Sequence, residues 1–144
     1  MTDEVPPPVP VEPAAVPPVE AGPELPFDDP NSPESLQRAS DAETLTEQGM
    51  DLCKRARWRD AIEPLRRATE MSPTAGLAFY YLGDAYNHVD HLPGALSAFE
   101  SAARLLPDNW RALKGVGIVL DRMRRPQEAA AAYQKARDAQ RRAT

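Results

Sequence analysis

One cysteine, two histidines and two tryptophans in 144 residues leave little equipment for covalent or metal chemistry. Cys53 alone cannot close an intramolecular disulfide, which fits a reducing compartment. No run of about 18 apolar residues is present, so no membrane-spanning helix is expected. The first 33 residues contain no Lys or Arg but seven acids, so of the net charge of -5 they carry -7 and the remainder +2. A start of this kind has neither the basic end nor the apolar stretch of a signal peptide, and a cytoplasmic location is expected. Nucleic acid is an unsuitable partner, because the basic residues are balanced by acids and the acidic end repels phosphate.

What the N-terminal third does have is proline, eleven of the chain's 16. Fixing each residue costs about 1 to 2 kcal/mol of backbone entropy. Only Val5, Val9, Val11, Val16, Val19, Leu25 and Phe27 could offset that by burial. Residues 1–31 are therefore expected to be a disordered, semi-stiff acidic tail. P-x-x-P matches such as Pro7 to Pro10 and Pro23 to Pro26 arise readily in such composition and read first as spacer. Glu24-Leu-Pro-Phe-Asp-Asp29 differs in setting two large apolar groups among acids, as a partner-binding element would. Ser32 with Pro33 reads as a helix start, giving a short helix or linker over 32–41.

From residue 42 onward the chain repeats. Gly49, Gly83 and Gly117 are 34 residues apart, and so are Ala61, Ala95 and Ala129, then Leu65, Phe99 and Tyr133, then Ala68, Ala102 and Ala136. A fixed period of this length marks stacked supersecondary units. In each copy the first helix carries a glycine and the second two alanines seven apart, so side-chain bulk is missing where two helices must approach closely. Leu45, Phe79 and Leu113 precede the glycine by one turn, and Leu52, Tyr86 and Leu120 follow it, so small and large positions can interlock. The pattern resembles the tetratricopeptide repeat. That resemblance implies an all-α, right-handed superhelical solenoid of three helix-turn-helix repeats, at 42–75, 76–109 and 110–143.

The spacing predicts helices near 41–55, 59–71, 75–88, 93–105, 109–123 and 126–141. Ser40 with Glu43 reads as a capping box opening the first. Pro93 and Pro126 fall in first turns, where a missing N–H is harmless, but Pro64 is internal and should bend its helix. Arg141 stands where the earlier copies have Pro73 and Pro107. The last helix has no further helix to cover it, so self-association or a bound partner would shield that end.

No constellation reads as catalytic, and no cofactor or metal is expected. His88 and His91 with Asp84 and Asp90 form the only ligand-like cluster and read as an ordinary polar turn. Cys53 reads as a small lining residue rather than a nucleophile. Gly115-Val-Gly117 lacks the strand and third glycine of a dinucleotide fingerprint. Binding is the better reading. The resemblance implies that the first helix of each pair lines a concave groove. The residues placed there are Glu43, Thr46, Glu47, Met50, Cys53 and Lys54, then Leu77, Tyr80, Tyr81, Asp84, Asn87 and His88, then Arg111, Lys114, Ile118, Asp121 and Arg122. Tyr80, Arg111 and Lys114 are the expected anchors.

One subclass of the family clamps the C-terminal carboxylate of chaperone peptides. Here Thr46, Met50, Tyr81 and Gly115 replace its polar ligands, Arg111 alone keeps their character, and Asp84 would repel a carboxylate. The sequence thus describes a non-enzymatic adaptor for a protein or peptide partner. The alternatives are a small chaperone or assembly factor for one client, and a regulatory subunit of an enzyme. The acidic segment at 24–29 could also fold back onto Arg111, Lys114 and Arg122 and compete with a partner.

Overall fold

The computed structural model describes residues 29–144. The expectations for residues 1–28, including the P-x-x-P matches and most of the acidic segment, lie outside the described residues. Six helices follow in order: α1 Pro33–Lys54, α2 Trp58–Met71, α3 Gly76–His88, α4 Leu92–Leu105, α5 Trp110–Arg122 and α6 Pro126–Ala143. There is no strand among the described residues.

α1 is the main departure from expectation. Ser32 caps it, its side chain accepting from the Ser35 N–H, and Pro33 occupies the first turn, as expected. The helix then runs through 32–41 without a break, so Ser40 opens nothing. No glycine or proline lies between Glu34 and Ala42, and Ser and Asp are only mildly unfavourable inside a helix. The Ser40 carbonyl instead accepts from the Thr44 hydroxyl at 3.1 Å. Residues 29–31, assigned to the tail, form a turn in which the Ser32 N–H donates to the Asp29 carbonyl at 2.9 Å. α2 likewise continues through Pro64 as one element.

The three hairpins close in the same way. Ala56, Asp90 and Arg124, spaced by the repeat period, have φ of 58°, 64° and 60°. After each, an N–H reaches back five residues: Arg57 to the Leu52 carbonyl, His91 to Tyr86 and Arg125 to Leu120, at 2.8 to 2.9 Å. This is the left-handed helix end that glycine usually occupies, and none of the three is glycine. A non-glycine residue in that region carries about 1 to 2 kcal/mol of strain. Ala56→Gly and Arg124→Gly are therefore expected to raise stability by about 0.5 to 1 kcal/mol each, after the entropy glycine adds to the unfolded chain. Urea midpoints of the full chain will show it, and an unchanged or lowered midpoint would mean the turns carry no strain.

Each helix packs on its hairpin partner and on the next helix in the chain. α1 also meets α3 and α3 meets α5, whereas α2, α4 and α6 do not meet one another. The first helices thus form a tighter inner row and the second helices an outer one, which gives the array its concave face. The periodic alanines lie in the seam, all six between 0% and 6% exposed. Two buried clusters result, one around Leu65 and Leu82, the other around Phe99, Val119 and Leu120, and Tyr86 packs against both. The glycines are where bulk would collide. A Cβ on Gly49 would lie 2.3 Å from Leu65, on Gly83 2.9 Å from Phe99, and on Gly117 2.7 Å from Tyr133. Each periodic glycine thus faces the large residue of the same copy's second helix.

Candidate interaction grooves on the inner helix row

Ten of the residues expected in one groove fall into two notches, while Met50, Cys53, Lys54, Tyr81, His88, Asp121 and Arg122 line neither. The first, about 270 Å³, lies between α3 and α5. Tyr80, Asp84 and Asn87 form its α3 wall, Trp110, Arg111, Lys114 and Ile118 its α5 wall, and Phe99 of α4 reaches its floor past Gly115. Tyr80 is held edge-on to Phe99, with ring centroids 5.9 Å apart, and edge-on to Tyr81 at 5.1 Å. Ile118 is 37% exposed, unusual for a large aliphatic group. The Arg111 guanidinium lies over the Trp110 ring, 5.5 Å from its centroid. The second notch, about 400 Å³, lies between α1 and α3 and is lined mainly by Ala75, Gly76, Leu77, Ala78 and Leu106, with Glu43, Thr46 and Glu47 on the α1 side. Leu77 is 53% exposed there. Met50 is half-buried on α1 and lines neither notch.

Charge in the first notch is uneven. Burial pushes the Asp84 carboxyl up, opposed by His88. Burial also raises the Tyr80 phenol, with Asp84 and Tyr81 adding to it and Arg111 opposing. Arg122 is occupied within the fold. Its Nη1 donates to the Asn87 carbonyl at 2.5 Å and to Asn87 Oδ1 at 2.7 Å, while its Nη2 pairs with Asp90. This ties α5 to the end of α3 and takes up part of the Asn87 amide. Arg111 and Lys114 make no ion pair among the described residues and are the cations available at the rim.

The His, Asp and Cys residues find local partners. His88 lies flat on Trp58, ring centroids 3.7 Å apart at 7°, with Nδ1 at 2.8 Å from the Asp84 carbonyl. His91 Nδ1 accepts from the Gly94 N–H at the start of α4. Among the described residues no group of three or more His, Cys, Asp or Glu is placed to hold a metal ion. Cys53 is buried, its thiol 3.8 Å from the Tyr81 carbonyl. Burial first, then Asp84, push its pKa from 9.0 up to about 12. A thiol held that high keeps far less thiolate at neutral pH than a free cysteine, and the thiolate is the nucleophile. Cys53 is thus expected to resist a thiol reagent in the native chain and to react at an ordinary rate in denaturant, which a timed labelling experiment reads directly.

Trp58 and Trp110 were not anticipated. The signal for Trp110 was present, since it occupies the column of Gly76: an aromatic ring where the preceding repeat needs no side chain is available to something outside the fold.

Stacked helical hairpins presenting apolar, charge-rimmed notches along an inner row define a helical-repeat interaction module. The sequence matches the tetratricopeptide repeat family over residues 46–88 and 90–143, and the chain belongs to that family. No curated protein matches it. Among solved structures it is similar to MamA MSR-1 C2 (TM-score 0.67, 21% identity, over 76% of this chain and 64% of that one). It is also similar to the first tetratricopeptide domain of Spaghetti (RPAP3) bound to HSP90 peptide SRMEEVD (0.67, 19%, 71% and 81%). A third is the Arabidopsis OM64 tetratricopeptide domain (0.69, 18%, 72% and 85%). The match to MamA spans less than two thirds of that protein's length. At these identities the likeness concerns the fold. No helix among the described residues is long and apolar enough to cross a membrane.

Proposed function

We propose that the protein is a non-catalytic adaptor that binds a peptide or protein segment along its inner helix row, with the α3/α5 notch as the main subsite. One observation carries the reading: Tyr80, Phe99, Trp110 and Ile118 line one notch together with Arg111 and Lys114, two cations that make no ion pair among the described residues. Aromatic and Arg groups at the centre of a concave surface are the usual anchors of an interface. The site favours a segment with an apolar side chain flanked by acids. A chaperone-type carboxylate clamp is disfavoured, since Asp84 stands in the notch and Gly115 is pressed against Phe99 with no side chain to offer.

The test is affinity purification with the full chain and with a Tyr80→Ala, Arg111→Glu variant, both checked for helical content by circular dichroism. A set of partners retained by the first and absent from the second is expected. Identical sets would remove the notch from consideration. The second notch favours a related reading, a chaperone or assembly factor sheltering an apolar client segment, because Leu77 is left open beside the half-buried Leu106. Leu77→Glu would then abolish suppression of client aggregation, measured by light scattering, while leaving the partners of the first notch in place.

A further inference from the structure

Resting on the notch reading above, we propose that Asp84 is a subsite for a cationic side chain. The α3/α5 notch then takes an extended peptide segment with an acid at one end, an apolar residue next and a Lys or Arg beyond it. α3 and α5 span Gly76–His88 and Trp110–Arg122, one repeat period apart, so they run in the same direction with each α3 residue beside its counterpart in the next copy. Tyr80 is level with Lys114, and Asp84 with Ile118. The notch is therefore polar along its length. Trp110, Arg111 and Lys114 stand towards the start of the two helices, Asp84 and Asn87 towards their ends. Asp84 is the only acid lining it, and Arg111 and Lys114 are the only Arg or Lys.

Asp84 is the group left short of a partner. Its side chain is 30% exposed, and its one ion-pair neighbour among the described residues is His88, whose Nδ1 stands 3.4 Å from Oδ1. That nitrogen lies nearer to the Asp84 backbone carbonyl, at 2.8 Å. Arg122 is already held by Asn87 and Asp90, and Lys114 makes no ion pair with Asp84. A half-buried carboxylate without a close donor keeps its charge at a cost, seen in the upward push that burial gives its pKa. A guest ammonium or guanidinium relieves that cost. The acids that Arg111 and Lys114 favour thus fit their end of the notch only, and at Asp84 a cation takes their place. The spacing follows from the helices. Arg111 and Lys114 precede Ile118, the residue level with Asp84, by seven and four positions, about 10 and 6 Å at 1.5 Å per residue. An extended segment covers that distance in about two to three residues at about 3.3 Å each. The apolar side chain then falls among Tyr80, Phe99 and Ile118.

The experiment follows amide resonances of the full chain while peptides are titrated to millimolar concentration, their ends acetylated and amidated so that only side chains carry charge. The probes are Glu-Leu-Ser-Lys between Gly-Ser flanks, made in both chain directions because the notch does not fix which way a segment runs. Glu-Leu-Ser-Glu and Lys-Leu-Ser-Lys in the same flanks are the controls. The better direction of Glu-Leu-Ser-Lys is expected to shift Tyr80, Asp84 and Lys114. It should bind about threefold to fivefold more tightly than either control, the difference made by one partly exposed ion pair. In an Asp84→Asn chain its affinity should fall to that of Glu-Leu-Ser-Glu. In Asp84→Lys the order of those two should invert, a reversal that a misfolded variant would not show. No shift at Asp84 with any probe, equal affinity for Glu-Leu-Ser-Lys and Glu-Leu-Ser-Glu, or a preference that survives Asp84→Asn overturns the subsite. If it is overturned while Tyr80→Ala, Arg111→Glu still loses partners, the notch reading stands and only the chemistry of the guest falls.

Discussion

Phe99→Ala is expected to destabilise the full chain by about 3 to 5 kcal/mol, the range for deleting a well-packed phenylalanine. Phe99 is 3% exposed at the centre of the larger cluster. It is approached by the backbone of α3 at Gly83 and of α5 at Gly115, so neither neighbour has a side chain that could move into the vacated space. The loss should therefore sit near the top of the range, because the cost of a cavity rises with the volume left unfilled. Phe99 belongs to the middle repeat and touches both neighbouring first helices. In an array held by nearest-neighbour interfaces, that removes intrinsic stability and coupling together. The urea transition should move to a lower midpoint and broaden, as the terminal repeat begins to unfold separately. Tyr133→Ala, in the same column but half-exposed and bonded through its hydroxyl to Asp121 at 3.0 Å, should cost less. A Phe99→Ala loss below about 1 kcal/mol would mean that a shared interior is not what joins the repeats.

Which parts of this could be read in advance follows from where the information lies. The Leu65, Phe99, Tyr133 column and its glycines were legible because close packing of two helices leaves a volume rule on both strands of the hairpin, and three copies print it three times. The ends of α1, α3 and α5 were legible to within a residue, but the left-handed conformation of Ala56, Asp90 and Arg124 was not. The backbone adopts the left-handed turn because the next helix must pack back, and the sequence supplies no glycine to announce it. The continuity of α1 was missed for the opposite reason: a local capping pattern at Ser40 was present, but a helix already started at Ser32 has no cause to stop there. At the site, Tyr80, Asp84, Arg111, Lys114 and Ile118 are assigned to one groove by helical period together with the family resemblance that sets the first helices on the inner row. That Leu77 belongs to a separate notch depends on Glu43, Thr46 and Glu47 of the preceding hairpin forming its other wall. That Arg122 is tied to Asn87 and Asp90 depends on how closely α5 approaches the end of α3. Both are contacts across repeats, which a pattern within one repeat cannot report.

The glycines on either side of Phe99 give the second large effect, and its sign is a contest between two terms. Gly83→Ala and Gly115→Ala each gain up to about 1 kcal/mol of helix propensity. Against this, the new methyl would lie 2.9 Å and 2.7 Å from the Phe99 ring, distances no real pair of carbons keeps. Overpacking of a core costs about 1 to 3 kcal/mol. In either single variant the ring meets one new methyl and has the other glycine's space to shift into, so a net loss of about 1 kcal/mol is expected. In the double variant two methyls press on the same ring, both against Cγ and Cδ1, so the loss should exceed the sum of the singles, as happens for residues sharing one partner. Replacing the ring settles the cause. Phe99→Leu in the Gly83→Ala, Gly115→Ala background should recover stability, although Phe99→Leu alone lowers it. Urea midpoints of these variants close the cycle. A double variant as stable as the parent, or one that Phe99→Leu weakens further, would show that α3 and α5 do not approach α4 closely enough for the missing side chains to matter.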